Sequence, residues 1–261
     1  MPQKSFSFLE SINDQDRLLL TNVVSWAENA REKYVTKFTF FLDERQQELC
    51  RQVLASQKLD NFRFWGGIDG AQRKMLGLLC PCDSEDDNDI FPMKCVNFTY
   101  RKADELSHRD FLGALMSLRI QRSCVGDIIV GQGSTNVFVT DKVAQLVADE
   151  ITKIGRVGVS AGIGIDPNVV TQLKTIEING TVASLRADCL LSLAVHISRE
   201  KAAALIKNTG VSIDYLTSYK VDSIINENQT FSVKGYGKFI LKSINGVSKK
   251  DRIHVTLCKF I

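Results

Sequence analysis

Apolar residues recur at helical spacing from Asp16 to about Tyr34, through Leu19, Leu20, Val23, Val24 and Ala27, and predict a first helix. Asp43 is a candidate N-cap for a second helix carrying Leu49, Val53 and Leu54. Phe62-Arg63-Phe64-Trp65 alternates and stops at Gly66-Gly67, the pattern of a short strand and a turn. Met75 to Cys80 is an apolar run of strand length. Five acids among the seven residues Asp83–Asp89 cannot pack together, so a solvated loop is expected there.

The next stretch has a regular order. A strand is predicted at Met93–Arg101, a helix at Ser107–Ile120, and strands at Asp127–Val130 and Asn136–Thr140 around the turn Gly131-Gln132-Gly133-Ser134. A helix from Asp141 to Ile154 and a strand at Arg156–Ser160 complete a β-α-β-β-α-β pattern, ferredoxin-like or RRM-like. An RNA-binding sheet of this type exposes aromatics on its central strands. Phe98, Tyr100 and Phe138 are the candidates, but the aromatic-glycine signature is missing and core packing is the expected role.

Residues 161–182 read as a connection. Gly162-Ile163-Gly164 resembles a fragment of a phosphate loop without the rest of its pattern, and Asp166-Pro167 marks a turn. Beyond it, a helix is predicted over Ser184–Ala194, with Leu185, Leu190 and Leu193 toward a core. A second helix starts at the N-cap Ser198 and ends near Asn208 and Gly210. Its apolar stripe is Ala202, Leu205 and Ile206, and Arg199, Ala203 and Lys207 lie beside it. Strand-like Val211-Ser212-Ile213 follows, then Phe231–Phe239, where Gly235 and Gly237 allow close backbone approach to a ligand. The whole reads as an α+β chain in three units: a small N-terminal α/β unit over 1–82, the ferredoxin-like unit over 83–180, and a last module over 181–261.

Composition alone adds little. The chain has 261 residues, 44% apolar and 24% charged, with a net charge of +3. No apolar run approaches the ~18 residues of a membrane span, and no apolar stretch follows the N-terminal Met1–Ser5 as in a secretory signal, so a cytoplasmic protein without a membrane partner is expected. The placement of charge matters more. Residues 183–261 hold 12 basic and 6 acidic residues, a net +6, while residues 1–182 sum to −3. A basic module on a mildly acidic body makes nucleic acid the first partner to consider.

Metal and nucleophile chemistry find little support. The seven cysteines are odd in number and scattered, so reduced thiols are expected. Cys80-Pro81-Cys82, the single close pair, lacks the two-residue spacing of a zinc motif. The three histidines are far apart in sequence. No metal, cofactor or small-molecule substrate is expected.

Residues 183–261 resemble an S4 RNA-binding domain, the small module of ribosomal protein S4, heat-shock protein 15 and pseudouridine synthases. The matching elements are Leu185-Arg186-Ala187-Asp188, Ile197-Ser198-Arg199-Glu200-Lys201-Ala202, Leu205-Ile206-Lys207 and Val211-Ser212-Ile213. The likeness extends to YlmH-type proteins through Phe64-Trp65-Gly66-Gly67, Ala71-Gln72-Arg73-Lys74, Leu106–Leu115 and Val125-Gly126-Asp127-Ile128. It also takes in Lys234–Phe239 and Ser248–Arg252. The sequence departs from the pattern at Ala187, Asp214 and Asp251. The resemblance implies a non-enzymatic factor that binds structured rRNA and tRNA on the large ribosomal subunit, in the rescue of stalled nascent-chain–tRNA complexes. By residue matching, Arg186, Ser198 and Arg199 would touch RNA. Lys201, Lys207, Lys234, Lys238, Lys249, Lys250 and Arg252 extend that face by charge.

Ser107 and Asp110 have capping-box spacing, which puts His108 and Arg109 in the first turn of a helix as a candidate second RNA contact. A monomer is expected. Two other readings compete. Arg186-Ala187-Asp188 superficially matches the catalytic Arg-Leu-Asp of pseudouridine synthases, which would make the chain an RNA-modifying enzyme. An adaptor for cell division is the other.

Overall fold

The computed structural model describes residues 13–83, 87–169, 175–248 and 251–260. The chain divides into two compact units, Met1–Thr171 and Gln172–Ile261. The architecture is mixed α and β in both, as expected. Among the described residues no helix is long and apolar enough to cross a membrane.

The first unit opens with α1 (Asp14–Lys33), β1 (Lys37–Phe38), α2 (Glu44–Ser56), β2 (Phe62–Trp65) and β3 (Met75–Leu78). Local chemistry sets both helix starts. The Asn13 side chain accepts the Asp16 N–H at 2.7 Å. Asp43 and Gln46 form a reciprocal capping box, at 2.8 and 3.1 Å. The apolar stripe predicted for α1 is its buried face, Leu20, Val23, Val24 and Ala27. The three strands make an antiparallel sheet in the order β1-β3-β2.

The same unit continues with β4 (Met93–Thr99), α3 (His108–Ser117), β5 (Val125–Val130), β6 (Ser134–Thr140), α4 (Asp141–Glu150), β7 (Lys153–Ile154), β8 (Val157–Gly158) and β9 (Ser160–Ile163). The sheet order is β5-β6-β4-β9, with every neighbour antiparallel. That is the connectivity of a β-α-β-β-α-β layer. Two boundaries differ from expectation. The helix expected through Ile154 ends at Glu150, because Ile151 leaves helical geometry and the chain turns through the β7–β8 hairpin at Gly155 (φ +59°). Ile151 and Ile154 are both buried, so the apolar pattern continues past the helix. The strand expected at Arg156–Ser160 is shifted to Ser160–Ile163, where Thr99↔Ser160 to Val96↔Ile163 pair it with β4.

Both faces of the central strands carry a core, while β9 at the sheet edge stays largely exposed. Val96 and Phe98 of β4 and Val137 and Val139 of β6 share a core with Phe111 and Leu115 of α3 and Ala144 and Val147 of α4. Residues of the opposite parity point the other way. Phe138 and Ile129 share a second core with Phe41, Met75 and Phe91, and Trp65 and Cys95 pack on it. The candidate stacking aromatics are therefore taken up by packing, Phe98 and Phe138 fully and Tyr100 in part. Phe98 is 1% and Phe138 is 2% exposed, and the Tyr100 hydroxyl donates to the Gly131 carbonyl at 2.8 Å. Gly67 (φ +95°) lies so close to Phe138 that a Cβ there would sit 2.3 Å from the ring.

In the second unit come β10 (Thr175–Val182), α5 (Ala187–Val195), α6 (Arg199–Thr209), β11 (Val211–Ile213), β12 (Leu216–Ser218), β13 (Thr230–Val233), β14 (Gly237–Val247) and β15 (Ile253–Phe260). Residues 175–182, read from sequence as part of a connection, pair along their whole length with β15. The six strands run in the order β10-β15-β14-β13-β11-β12, all antiparallel. Leu190, Leu191, Ala202 and Ile206 of the two helices share a core with Phe231, Phe239, Leu241 and Leu257 of the sheet. α5 begins three residues later than the helix predicted from Ser184. Backbone bonds explain it: Ile225 N–H donates to Leu185 at 3.0 Å and Ala187 N–H to Ser223 at 2.8 Å, holding this stretch extended.

The expectation of seven reduced thiols is corrected at one place. Cys80 and Cys82 are joined by a disulfide, while Cys50, Cys95, Cys124, Cys189 and Cys258 are free. The turn after β3 brings the two sulfurs together across Pro81, which scattered spacing along the chain did not anticipate.

Candidate nucleic-acid interface

The centre of the site is a carboxylate, Asp188, that the sequence reading quoted within a motif but did not assign to the RNA face. Asp188 lies in the first turn of α5 and is 3% exposed. Its Oδ1 accepts from Arg186 Nε at 3.2 Å and from the Cys189 N–H at 3.0 Å. Its Oδ2 accepts from Arg199 Nε at 2.7 Å. Arg186 is the residue before α5 and Arg199 the first of α6. One buried anion therefore ties together the starts of two helices and holds two guanidiniums whose side chains remain 37% and 52% exposed.

The electrostatics follow. Burial raises the Asp188 pKa, but the hydrogen bonds and charges of Arg199 and Arg186 outweigh it and the net shift is downward. In return, the hydrogen bond to Asp188 heads the causes that raise the Arg199 pKa. Two cations against one anion leave a net +1, with guanidinium nitrogens still directed to solvent. Such fixed forks suit phosphate oxygens. The same geometry disfavours the catalytic reading of Arg186-Ala187-Asp188, since a nucleophilic carboxylate must be reachable and this one is buried under two arginines.

The other sequence candidates are placed as follows. The Ser198 hydroxyl accepts the Lys201 N–H at 3.3 Å and caps α6. Lys201 and Lys207 are exposed on that helix, on turns that also carry buried Ala202 and Ile206. Lys234 is exposed in the β13–β14 turn. Lys238 is on the opposite side of the sheet from α5 and α6, because Phe239 and Leu241 fill the core beneath those helices and alternation sends Lys238 the other way. There its Nζ donates to the Tyr215 hydroxyl at 2.6 Å and lies 4.5 Å from the Tyr215 ring centroid and 5.1 Å from that of Phe260. Arg252 is tied to β10 through Thr181, at 3.1 Å to Oγ1 and 2.8 Å to the carbonyl. Lys249 and Lys250 lie outside the described residues. The structure thus joins Arg186 and Arg199 through Asp188 and keeps Ser198, Lys201 and Lys207 on or at the start of the same helix as Arg199. Lys238 is on another face.

In the first unit His108 and Arg109 are exposed in the first turn of α3. Asp110 accepts the Ser107 N–H at 2.8 Å and the Ser107 hydroxyl at 2.6 Å, the backbone half of the expected capping box among them. Cys80, Cys82 and Asp83 are near neighbours, but the sulfurs are bonded to each other and Asp83 accepts the Cys80 N–H at 3.2 Å.

Comparison with known proteins gives the class first. A family model described as "Putative RNA-binding domain in YlmH" matches residues 86–162, the β-α-β-β-α-β layer. The chain is 30% identical over 243 residues to the "Ribosome-associated protein quality control protein P2" of Bacillus subtilis (strain 168), which spans 92% of this chain and 94% of that protein. Among solved structures, "Cell division protein ylmH from Streptococcus pneumoniae" matches 60% of this chain and 94% of its own, at 22% identity and a TM-score of 0.48. The chain belongs to the YlmH family.

Proposed function

We propose that this protein is a non-enzymatic factor that binds structured rRNA and tRNA on the large ribosomal subunit. It acts in ribosome-associated quality control, holding RNA in place during the rescue of stalled nascent-chain–tRNA complexes. It works as a monomer, and its main RNA contact is an S4-like face in the second unit. The observation that carries this reading is the pair Arg186 and Arg199 held by buried Asp188. Ser198 and Lys207 extend the face along α6, and Lys201, Lys234, Lys249, Lys250 and Arg252 are further cations of the same module. The relative named for ribosome-associated quality control supplies the biological setting.

Recognition of this kind reads backbone shape and phosphate position rather than base sequence. Binding should therefore fall steeply with salt, with a slope of about 0.7–0.9 per phosphate contacted. The test is co-sedimentation with purified large ribosomal subunits. Arg186→Gln and Arg199→Gln are expected to weaken pelleting and flatten the salt slope. Unchanged pelleting of the double variant would overturn the reading.

A further inference from the structure

The RNA-binding-domain match covers residues 86–162, yet the sheet face that such a domain offers to bases is covered around Ile129 and Phe138 by Phe41, Met75 and Phe91. What the first unit offers is a pair of crowded cations. Arg73 Nε donates to the Val125 carbonyl at 2.9 Å, and Arg122 Nη1 donates to the same oxygen. Arg73 Nη2 also reaches the Phe41 carbonyl at 3.0 Å and the Arg122 carbonyl at 3.5 Å. Arg122 Nη1 reaches the Gly126 carbonyl at 3.4 Å. Two guanidiniums thus converge on one carbonyl oxygen.

Among the described residues neither arginine is in a salt bridge. Asp127, two residues after Val125, uses both oxygens on the backbone N–H groups of Gln72 and Arg73, at 2.6 and 2.9 Å. The crowding has an electrostatic cost. Burial, then the charge of Arg73, pushes the Arg122 pKa down to about 10, with Asp127 opposing. Burial also lowers that of Arg73, with Asp43 and Asp127 opposing. His108, at the start of α3, is within electrostatic reach of the pair: partial burial and then the charge of Arg122 lower its pKa, against the pull of Asp127. Both arginines are half-buried and His108 is exposed, which leaves the cluster open to an incoming group. An anion arriving there would relieve the repulsion and use guanidinium nitrogens that the carbonyl oxygens leave free.

We infer that Arg73, Arg122 and His108 form a second anion site, in the first unit, that takes a phosphodiester of the bound RNA. The site rests on the proposed RNA-binding role and adds a contact to it. It also gives the Ala71–Lys74, Leu106–Leu115 and Val125–Ile128 segments a common purpose, since Asp127 holds the first through Gln72 and Arg73 and acts electrostatically on His108 of the second.

The test uses the full chain and purified large ribosomal subunits. Substituting an arginine removes a brace on the Phe41 and Val125 carbonyls and could unfold the unit, so the decisive variant is His108→Glu. It leaves both braces in place and sets a competing carboxylate beside Arg122. The site predicts about fivefold weaker binding, the effect of one opposed unit charge near the surface, with an unchanged or higher melting temperature. Arg199→Gln is measured beside it. Loss with Arg199→Gln and none with His108→Glu would overturn the second site and leave the S4-like face standing. Loss with His108→Glu alone would keep this site and overturn that face. No loss with either would overturn both. Binding that persists at full strength after nuclease treatment of the subunits, and is still weakened by His108→Glu, would mean an acidic protein segment and also overturn the assignment to RNA.

Discussion

Asp188→Asn separates two ways in which the second unit could attract RNA. The substitution is nearly isosteric and removes one buried negative charge. Hydrogen bonds to charged groups contribute about 1.5–3 kcal/mol each, and Asp188 accepts one from each of two arginines. Their guanidiniums are a third to a half exposed, so solvent screening reduces the sum. The expected loss of stability for Asp188→Asn is about 2 kcal/mol. Because the folded-state pKa lies below the ordinary 3.8, this contribution is present above the unfolded value and is lost as pH falls through the folded one. The stability gap between wild type and Asp188→Asn should thus be full at pH 6 and close below the ordinary aspartate range. Binding decides between mechanisms. If bulk charge draws the RNA, the variant is one unit more positive and binds more tightly. If Asp188 works by holding Arg186 and Arg199 in place, the freed guanidiniums must be reordered at each binding event, and affinity falls about tenfold. Equilibrium pelleting with large ribosomal subunits at fixed salt measures it, with a thermal melt to confirm the fold. Equal or tighter binding would refute the positioning role.

Other consequences are more local. Gly67→Ala forces a Cβ to 2.3 Å from the Phe138 ring at a positive φ; a loss of roughly 2–4 kcal/mol is expected by chemical denaturation. Phe138→Ala should cost about 3–5 kcal/mol, because the ring is interior, and the fraction that stays folded should bind RNA normally; weaker binding by that fraction would restore the stacking role. Ser198→Ala removes the α6 cap, with about 1 kcal/mol lost in a melt. Lys238→Gln should affect RNA binding less than Arg199→Gln, since Lys238 is on the sheet face away from the helices; an equal effect in the pelleting assay would contradict that separation.

Much of the fold was legible where chemistry is local. Asp43, Ser107 and Ser198 mark helix starts because a side-chain oxygen beside the first free amides is a short-range requirement. The period of two along β4 also translates directly into faces, Val96 and Phe98 toward one core and Cys95 toward the other. Longer-range pairing was less legible. β10 reads as a connection because its register is dictated by β15, more than seventy residues away in sequence. The apolar residues after α4 suit a helix and a hairpin equally, and Gly155 decides between them. The S4-like motif pointed to Arg186 and Arg199. Asp188 was quoted within that motif, yet its role depends on a contact across eleven residues. One signal for it was available: an acid in the first turn of an otherwise apolar helix needs a cation, and Arg186 and Arg199 were the nearby candidates.

The most direct test of the central claim is to crosslink the full-length protein to RNA in cells with ultraviolet light and identify the crosslinked peptides. The account predicts crosslinks to large-subunit rRNA and tRNA concentrated in the segment from Arg186 to Lys207. Crosslinks that avoid that segment, or none above background, would contradict it.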